Sequence, residues 1–272
     1  MSDDLTGTKN AAASAGGDAP IVTAPIPRDL IPPFDQCAFL LDIDGTLLDM
    51  AQRPRDVVVP PGLKDTLTEL LVRTNGALAM VSGRSMEDID FIFGPEFPAV
   101  GGHGAEMRIS QTSDAVANQA PPMDINLKRR FAKLAEMNEG ILLEDKGYSL
   151  ALHFRLAPEC EEAIYDGVSA IRADLPNAPI EVLPGKFVCE IKHSGVTKAT
   201  GVVELMTHEP FKGRRPIFLG DDVTDESVFA IMPDMNGLAF SVGRRAQGVD
   251  GHFDEPENVR QWLASLLKPT GS

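Results

Sequence analysis

Two acids one residue apart, Asp42 and Asp44, close the apolar run CAFLL at residues 37–41 and precede a Gly-Thr turn. On a strand, side chains two apart point to the same face, about 7 Å apart along it. Carboxylates at that spacing can flank one electrophile, one attacking it and the other protonating the leaving group. Taken alone, the pair fits equally well as a strand end that meets water. A second acidic run, DDVTDE from Asp221, follows the apolar stretch PIFLG. Asp221 and Asp225 can reach one point across a strand-to-helix turn. Their oxygens suit Mg2+, while Asp222, Thr224 and Asp225 also fit a helix cap. Lys198 falls in the first turn of a predicted helix, where a positive charge opposes the helix dipole unless an anion lies nearby. Ser82, in VSGR after a further apolar run, offers a hydroxyl or serves as a turn residue. Acids facing a phosphate need cations, because like charges at about 4 Å repel by roughly 4 kcal/mol at an effective dielectric near 20.

These residues need a scaffold that brings strand ends together. From Phe34, short apolar runs (37–43, 77–81, 97–102, 216–220, 238–242) alternate with helical patterns (62–74, the helix after Ser85, 197–209, 257–267). That rhythm predicts βαβ units and a doubly wound parallel sheet of Rossmann-like type. Each polar motif follows a strand's carboxyl end, where open α/β sheets bind ligands. The rhythm breaks between 108 and 193. There a helix (125–139), two strands (141–144 and 148–156), a second helix (158–175) and a hairpin (180–184 and 187–192) spell αββαββ, an antiparallel α+β unit inserted as a cap. The expected organisation is a disordered leader over 1–33, a core over 34–107 and 194–272, and a cap over 108–193. Trp262 is expected in the core.

The string D-I-D-G-T-L resembles the first motif of the haloacid dehalogenase (HAD) superfamily of phosphohydrolases. The resemblance implies that Asp42 attacks phosphorus to form an aspartyl phosphate. Asp44 would protonate the leaving alcohol and then deprotonate water, and Thr46 would orient the loop. Ser82 and Gly83 match the second motif as phosphate binders, and Lys198 matches the third. Mg2+ would be held by Asp42, the backbone carbonyl of Asp44 and Asp221, with Asp222 or Asp225 supporting. The ordered set V-S-G-R-S, G-G-H-G-A-E, L-E-D-K-G-Y, P-G-K-F-V-C-E-I-K, T-K and G-D-D-V-T-D-E-S-V-F resembles the trehalose-6-phosphate phosphatase family. Membership implies hydrolysis of trehalose 6-phosphate to trehalose and phosphate, the last step of trehalose biosynthesis. It also implies that Glu144, Lys146 and Glu190 bind sugar hydroxyls. Carboxylates and an ammonium do offer the acceptors and donors hydroxyls require, although an exposed Glu–Lys pair is also an ordinary surface feature. Arg84, His103 and Glu106 stand further back as sugar candidates, and His103 suits equally a histidine that ties loops together. Ala199 stands where many relatives carry Gly. Another capped sugar phosphatase, acting on a sucrose or glycosyl-glycerate phosphate, or a non-catalytic sugar-phosphate sensor are the alternatives.

A net charge of −15 argues against nucleic acid or an anionic membrane as a partner. No run approaches the roughly 18 apolar residues that span a bilayer. Cys37, Cys160 and Cys189 lack metal-ligand spacing and read as buried or free thiols in a reducing compartment. A cytoplasmic monomer with a small sugar-phosphate substrate is the expectation.

Overall fold

The computed structural model describes residues 22–23, 26–51, 56–110, 117–118, 120–185 and 187–268. In chain order the core begins with β1 (Val22–Thr23), β2 (Cys37–Leu41), α1 (Leu63–Arg73), β3 (Leu78–Val81), α2 (Met86–Phe93), β4 (Ala99–Gly101), β5 (Glu106–Arg108) and β6 (Ala117–Asn118). The cap follows as α3 (Ile125–Ala135), β7 (Leu142–Asp145), β8 (Ser149–His153), α4 (Glu161–Asp174), β9 (Ile180–Gly185) and β10 (Val188–His193). The core resumes with α5 (Lys198–Leu205), β11 (Arg215–Gly220), α6 (Glu226–Ile231), β12 (Leu238–Val242), β13 (Gly251–Phe253) and α7 (Pro256–Leu266).

The core sheet runs β1-β13-β12-β11-β2-β3-β4-β5-β6, parallel from β1 to β4. Its central strands β2 and β3 are apolar throughout because both faces are covered. Cys37, Phe39 and Leu41 of β2 join the cluster containing Leu67 of α1, Phe93 of α2 and Leu263 of α7. Ala38 and Leu40 join the opposite cluster with Val202 of α5 and Val228 of α6. Each large apolar side chain sealed this way contributes about 1.5–3 kcal/mol. The cap is a separate antiparallel sheet, β7-β8-β10-β9. One face is closed by α3 and α4, through Leu127, Phe131, Ile164 and Val168 packed on Leu150, Leu152 and Ile191. The doubly wound core and αββαββ insert are as the periodicities predict.

The boundaries differ from the sequence expectation. Residues 1–21 of the predicted leader lie outside the described residues. The leader's end, however, belongs to the core: β1 pairs with β13, and Ile26 and Ile31 are buried in the cluster around Phe39. Trp262, buried as expected, donates its indole N–H to the Ile26 carbonyl at 3.2 Å. Proline-rich composition describes the local backbone there, but two isoleucines suffice to dock it. At the other boundary the core sheet continues past residue 107, because β5 and β6 extend it antiparallel.

Candidate active site

The carboxyl ends of β2 and β11 lie side by side, since the chain runs out from this pair in both directions along the sheet. Asp42 follows β2 directly, its amide donating to the Leu219 carbonyl of β11 at 3.0 Å. The chain then turns tightly, with the Gly45 amide on the Leu48 carbonyl at 2.8 Å. Gly45 has φ +78°, and a Cβ there would sit 2.0 Å from Asp221 Oδ2, so this position requires glycine for both conformation and space.

Lys198 opens α5, whose start is fixed by a capping box between Thr197 and Thr200. Its ammonium donates at 2.8 Å to Asp42 Oδ1 and at 2.8 Å to Asp225 Oδ1, all three side chains being buried. Burial alone would lower the lysine's pKa; the carboxylates of Asp42 and Asp225 outweigh it and hold the ammonium charged. Burial drives the Asp42 carboxyl well above its usual range, against the attraction of Lys198 and with the repulsion of Asp225 and Asp221. Asp221 is pushed up to about 7 by burial and then by Asp225 and Asp222. Oxygens of Asp42, Asp221 and Asp225 lie within 4.8 Å of one another.

Between the two candidates for a supporting acid, Asp225 joins the cluster and Asp222 does not. Asp225 is fully buried, and its second oxygen accepts the Asp221 and Asp222 amides at 3.0 and 3.1 Å. Asp222 is exposed and caps the following turn through the Thr224 amide, as the capping reading of DDVTD predicts.

Asp44 is partly buried and receives both arms of Arg84, Nε and Nη2 donating at 2.6 Å each. Arg84, a sugar candidate from sequence, is thus placed against Asp44 of the core. Ser82 is buried, its hydroxyl accepting the Arg84 amide at 3.2 Å. Thr46 is buried with its hydroxyl unpartnered among the described residues. Gly83 packs under the His103 ring, where a Cβ would approach to 2.4 Å.

On the cap, Glu144, Ala151 and Glu190 occupy one row across β7, β8 and β10, on the face away from α3 and α4. Glu190 accepts the Ser149 hydroxyl at 3.0 Å and lies 3.6 Å from both Lys146 Nζ and His103 Nε2. Burial would raise its pKa, but His103, Lys146 and Ser149 together bring it down to about 2. Glu144 meets His153 Nε2 at 2.9 Å, a contact that lowers its pKa. His103 comes from the core in a left-handed conformation (φ +55°), and its ring spans Gly83 of the core and Glu190 of the cap. Glu106, the remaining sugar candidate, accepts the Met86 amide of α2 on its carboxylate at 2.6 Å and lies beside Tyr148. Ser149, His153 and Tyr148 were missed from sequence. Two-residue alternation along β8 would have placed Ser149 and His153 on the face of Glu190.

Two acids one residue apart, a buried lysine and an acidic loop, gathered at the carboxyl ends of the central strands β2 and β11 beneath an inserted cap, give the chain a haloacid dehalogenase-like fold. A family model described as trehalose-phosphatase matches residues 40–254. The chain belongs to the trehalose-phosphatase family of phosphoric monoester hydrolases. It is 39% identical over 238 residues to the probable trehalose-phosphate phosphatase of Sinorhizobium fredii (strain NBRC 101917 / NGR234), covering 86% of this chain and 88% of that one. Identity to the trehalose-6-phosphate phosphatase of Escherichia coli (strain K12) is 34% over 230 residues, covering 84% and 86%. The C-terminal domain of C. albicans trehalose-6-phosphate phosphatase superposes with a TM-score of 0.73 at 22% identity, over 92% of this chain and 99% of that one, a likeness of fold.

Proposed function

We propose that this protein hydrolyses trehalose 6-phosphate to trehalose and phosphate with Mg2+ as cofactor. The observation that carries the reaction is the buried Asp42–Lys198–Asp225 network with Asp221 beside it. The residues fit a divalent cation: the donors are hard oxygens, and those of Asp42, Asp221 and Asp225 converge within 4.8 Å beside a single ammonium. Asp42, Asp221 and the Asp44 carbonyl would hold the ion. When bound, it supplies positive charge against the phosphoryl oxygens.

Asp42 attacks phosphorus, forming the aspartyl phosphate as the bond to the sugar oxygen breaks. Asp44 gives its proton to that oxygen, then takes one from the water that cleaves the acyl phosphate. Arg84's fork engages both Asp44 oxygens and favours the carboxylate, the form that takes the proton from water; to give a proton to the leaving oxygen, Asp44 releases one arm of that fork and carries the proton there. Lys198, Ser82, Gly83 and Thr46 bind the phosphoryl group. For the sugar, Glu144 and Glu190 flank the small Ala151 two strands apart, about 10 Å, a span suited to a disaccharide. His103 and Lys146 add donors at Glu190. Free cysteines suit a cytoplasmic setting. No helix among the described residues is long and apolar enough to cross a membrane.

Steady-state phosphate release from trehalose 6-phosphate, sucrose 6-phosphate, a glycosyl-glycerate phosphate and glucose 6-phosphate, with and without EDTA, tests the reading. Trehalose 6-phosphate is expected to lead by about 10-fold or more in kcat/KM, with EDTA abolishing release. A different leader reassigns the substrate, and no release from any of them leaves a sensor.

A pH dependence follows from Asp221. Its carboxyl titrates near 3.8 ordinarily and near 7 in the folded, cation-free protein. Between those values the folded state keeps a proton the unfolded chain has lost, so stability falls as pH rises through that window. In EDTA the melting temperature is expected to drop from pH 5 to pH 8, and Mg2+ to raise it more at pH 8. An equal Mg2+ shift at both pH values would remove Asp221 from the ligand set.

A further inference from the structure

The acidic loop after β11 is gripped on both sides of its backbone. On the amide side, Asp225 accepts from Asp221 and Asp222. On the carbonyl side, Arg244 Nε donates to the Asp221 carbonyl at 2.8 Å and Nη2 to the Asp222 carbonyl at 2.7 Å. Its remaining nitrogen, Nη1, donates to Glu226 Oε1 at 2.8 Å in the first turn of α6. Arg244 is placed for this by the end of β12, which runs beside β11 with Gly220 opposite Ser241. Gly243, at φ +71°, turns the chain just past the sheet, and the Arg244 amide returns to the Val242 carbonyl at 2.8 Å.

We propose that Arg244 is a positioning residue for the divalent-cation site, fixing the Asp221 carboxylate by clamping the two carbonyls of its loop. The proposal rests on the reading of Asp221 as a ligand. The loop gains from such a clamp because the oxygens of Asp42, Asp221 and Asp225 lie within 4.8 Å of one another, and carboxylates repel at that separation when charged. Asp225 holds only the amide side, and its other oxygen is committed to Lys198. Asp221 has little lateral freedom on the Gly45 side, where its oxygen lies against the bare glycine. Small rotations of the 221–222 peptides therefore change whether the oxygens of Asp221 and Asp42 converge. Arginine suits the task because one planar fork reaches two successive carbonyls and a carboxylate together; a lysine ammonium presents a compact charge without that geometry. Arg244 touches neither the proposed substrate nor the cation, so it acts through Asp221. Groups that orient metal ligands in this way commonly change metal affinity by about 10–100-fold.

Mn2+ binding to the full chain, followed by electron paramagnetic resonance, tests the proposal for wild type, Arg244→Met, Arg244→Lys, Glu226→Gln and Asp221→Asn. Arg244→Met is expected to weaken Mn2+ by about 10-fold or more and to raise the Mg2+ concentration for half-maximal activity in parallel. The KM for trehalose 6-phosphate at saturating Mg2+ stays unchanged. Arg244→Lys is expected not to restore affinity, and Glu226→Gln, which breaks only the tie to α6, to lose less than Arg244→Met. If Arg244→Met is folded and binds Mn2+ as tightly as wild type while Asp221→Asn does not, the clamp is structural and the proposal falls. If Asp221→Asn also binds as tightly as wild type, the ligand reading falls and takes the proposal with it. Should Arg244→Met melt too low to assay, Arg244→Gln, which keeps one amide donor, is read by the same criteria.

Discussion

Replacing Asp42 by Asn is expected to abolish phosphate release, by about 10^4-fold or more, in a protein that melts no lower than wild type. The two halves of this result have separate causes. An amide oxygen carries no anionic charge to attack phosphorus, and no neighbouring acid is placed to substitute: Asp225 is engaged with Lys198 and two backbone amides, and Asp44 with Arg84. The fold is spared because Asp42 is an acid the structure strains to keep charged, its carboxyl pushed well up by burial. Asn has the same shape, leaves Lys198 its bond to Asp225, and removes one member of a repelling set. Phosphate assay at saturating Mg2+ and thermal melting of the same preparation read both halves. Residual release above about 1% of wild type would move the nucleophile elsewhere, and a large fall in melting temperature would mean that the Asp42–Lys198 contact is chiefly structural.

That the first strand and its acids could be read from CAFLLDIDGT follows from its burial on two faces: an apolar run with no alternation admits few alternatives, and its carboxyl end must then meet a crevice. The cap was legible for the opposite reason, since β8 alternates and so declares one covered face. The short strands were not legible. β5, β6 and β13 hold two or three residues each and carry too little pattern to register, yet β5 and β6 extend the sheet at one end, and at the other β13 pairs with β1 and shares its core cluster with Ile26 and Ile31. Within the site, residue types pointed to chemistry but not to partners. Arg84 and Asp44 are separated by 40 residues, and only the packing of β2 beside β3 brings them together. DDVTD held the cap and metal readings at once because its acids divide: Asp222 caps the turn, and Asp225 turns inward to Lys198 beside Asp42 and Asp221. Arg244 gave no signal in SVGR, since its role depends on carbonyls of a neighbouring strand's loop.

Lys198→Met is expected to be the most destabilising single change in the site. It deletes the charge between two buried carboxylates, with Lys198 and Asp42 side chains 4% and 5% exposed and Asp225 at 0%. Removing one partner of a buried pair costs about 3–5 kcal/mol because the charge left behind is uncompensated. At roughly 2–4 °C per kcal/mol for a chain of this size, melting in EDTA should fall by roughly 6–20 °C. The deficit is expected to shrink as pH is lowered, because the orphaned acids then take up protons in the folded state. Asp42→Asn placed in the Lys198→Met background should recover part of the loss, with a coupling of about 0.5–3 kcal/mol, while phosphate release stays absent. That combination separates the two parts lysine plays: stability responds to the balance of charge, and activity requires both the nucleophile and the ammonium. If Lys198→Met melts within about 2 °C of wild type in EDTA, the buried triad is not held by its charges. If the double variant melts no higher than Lys198→Met alone, Asp42 is not the acid that Lys198 stabilises.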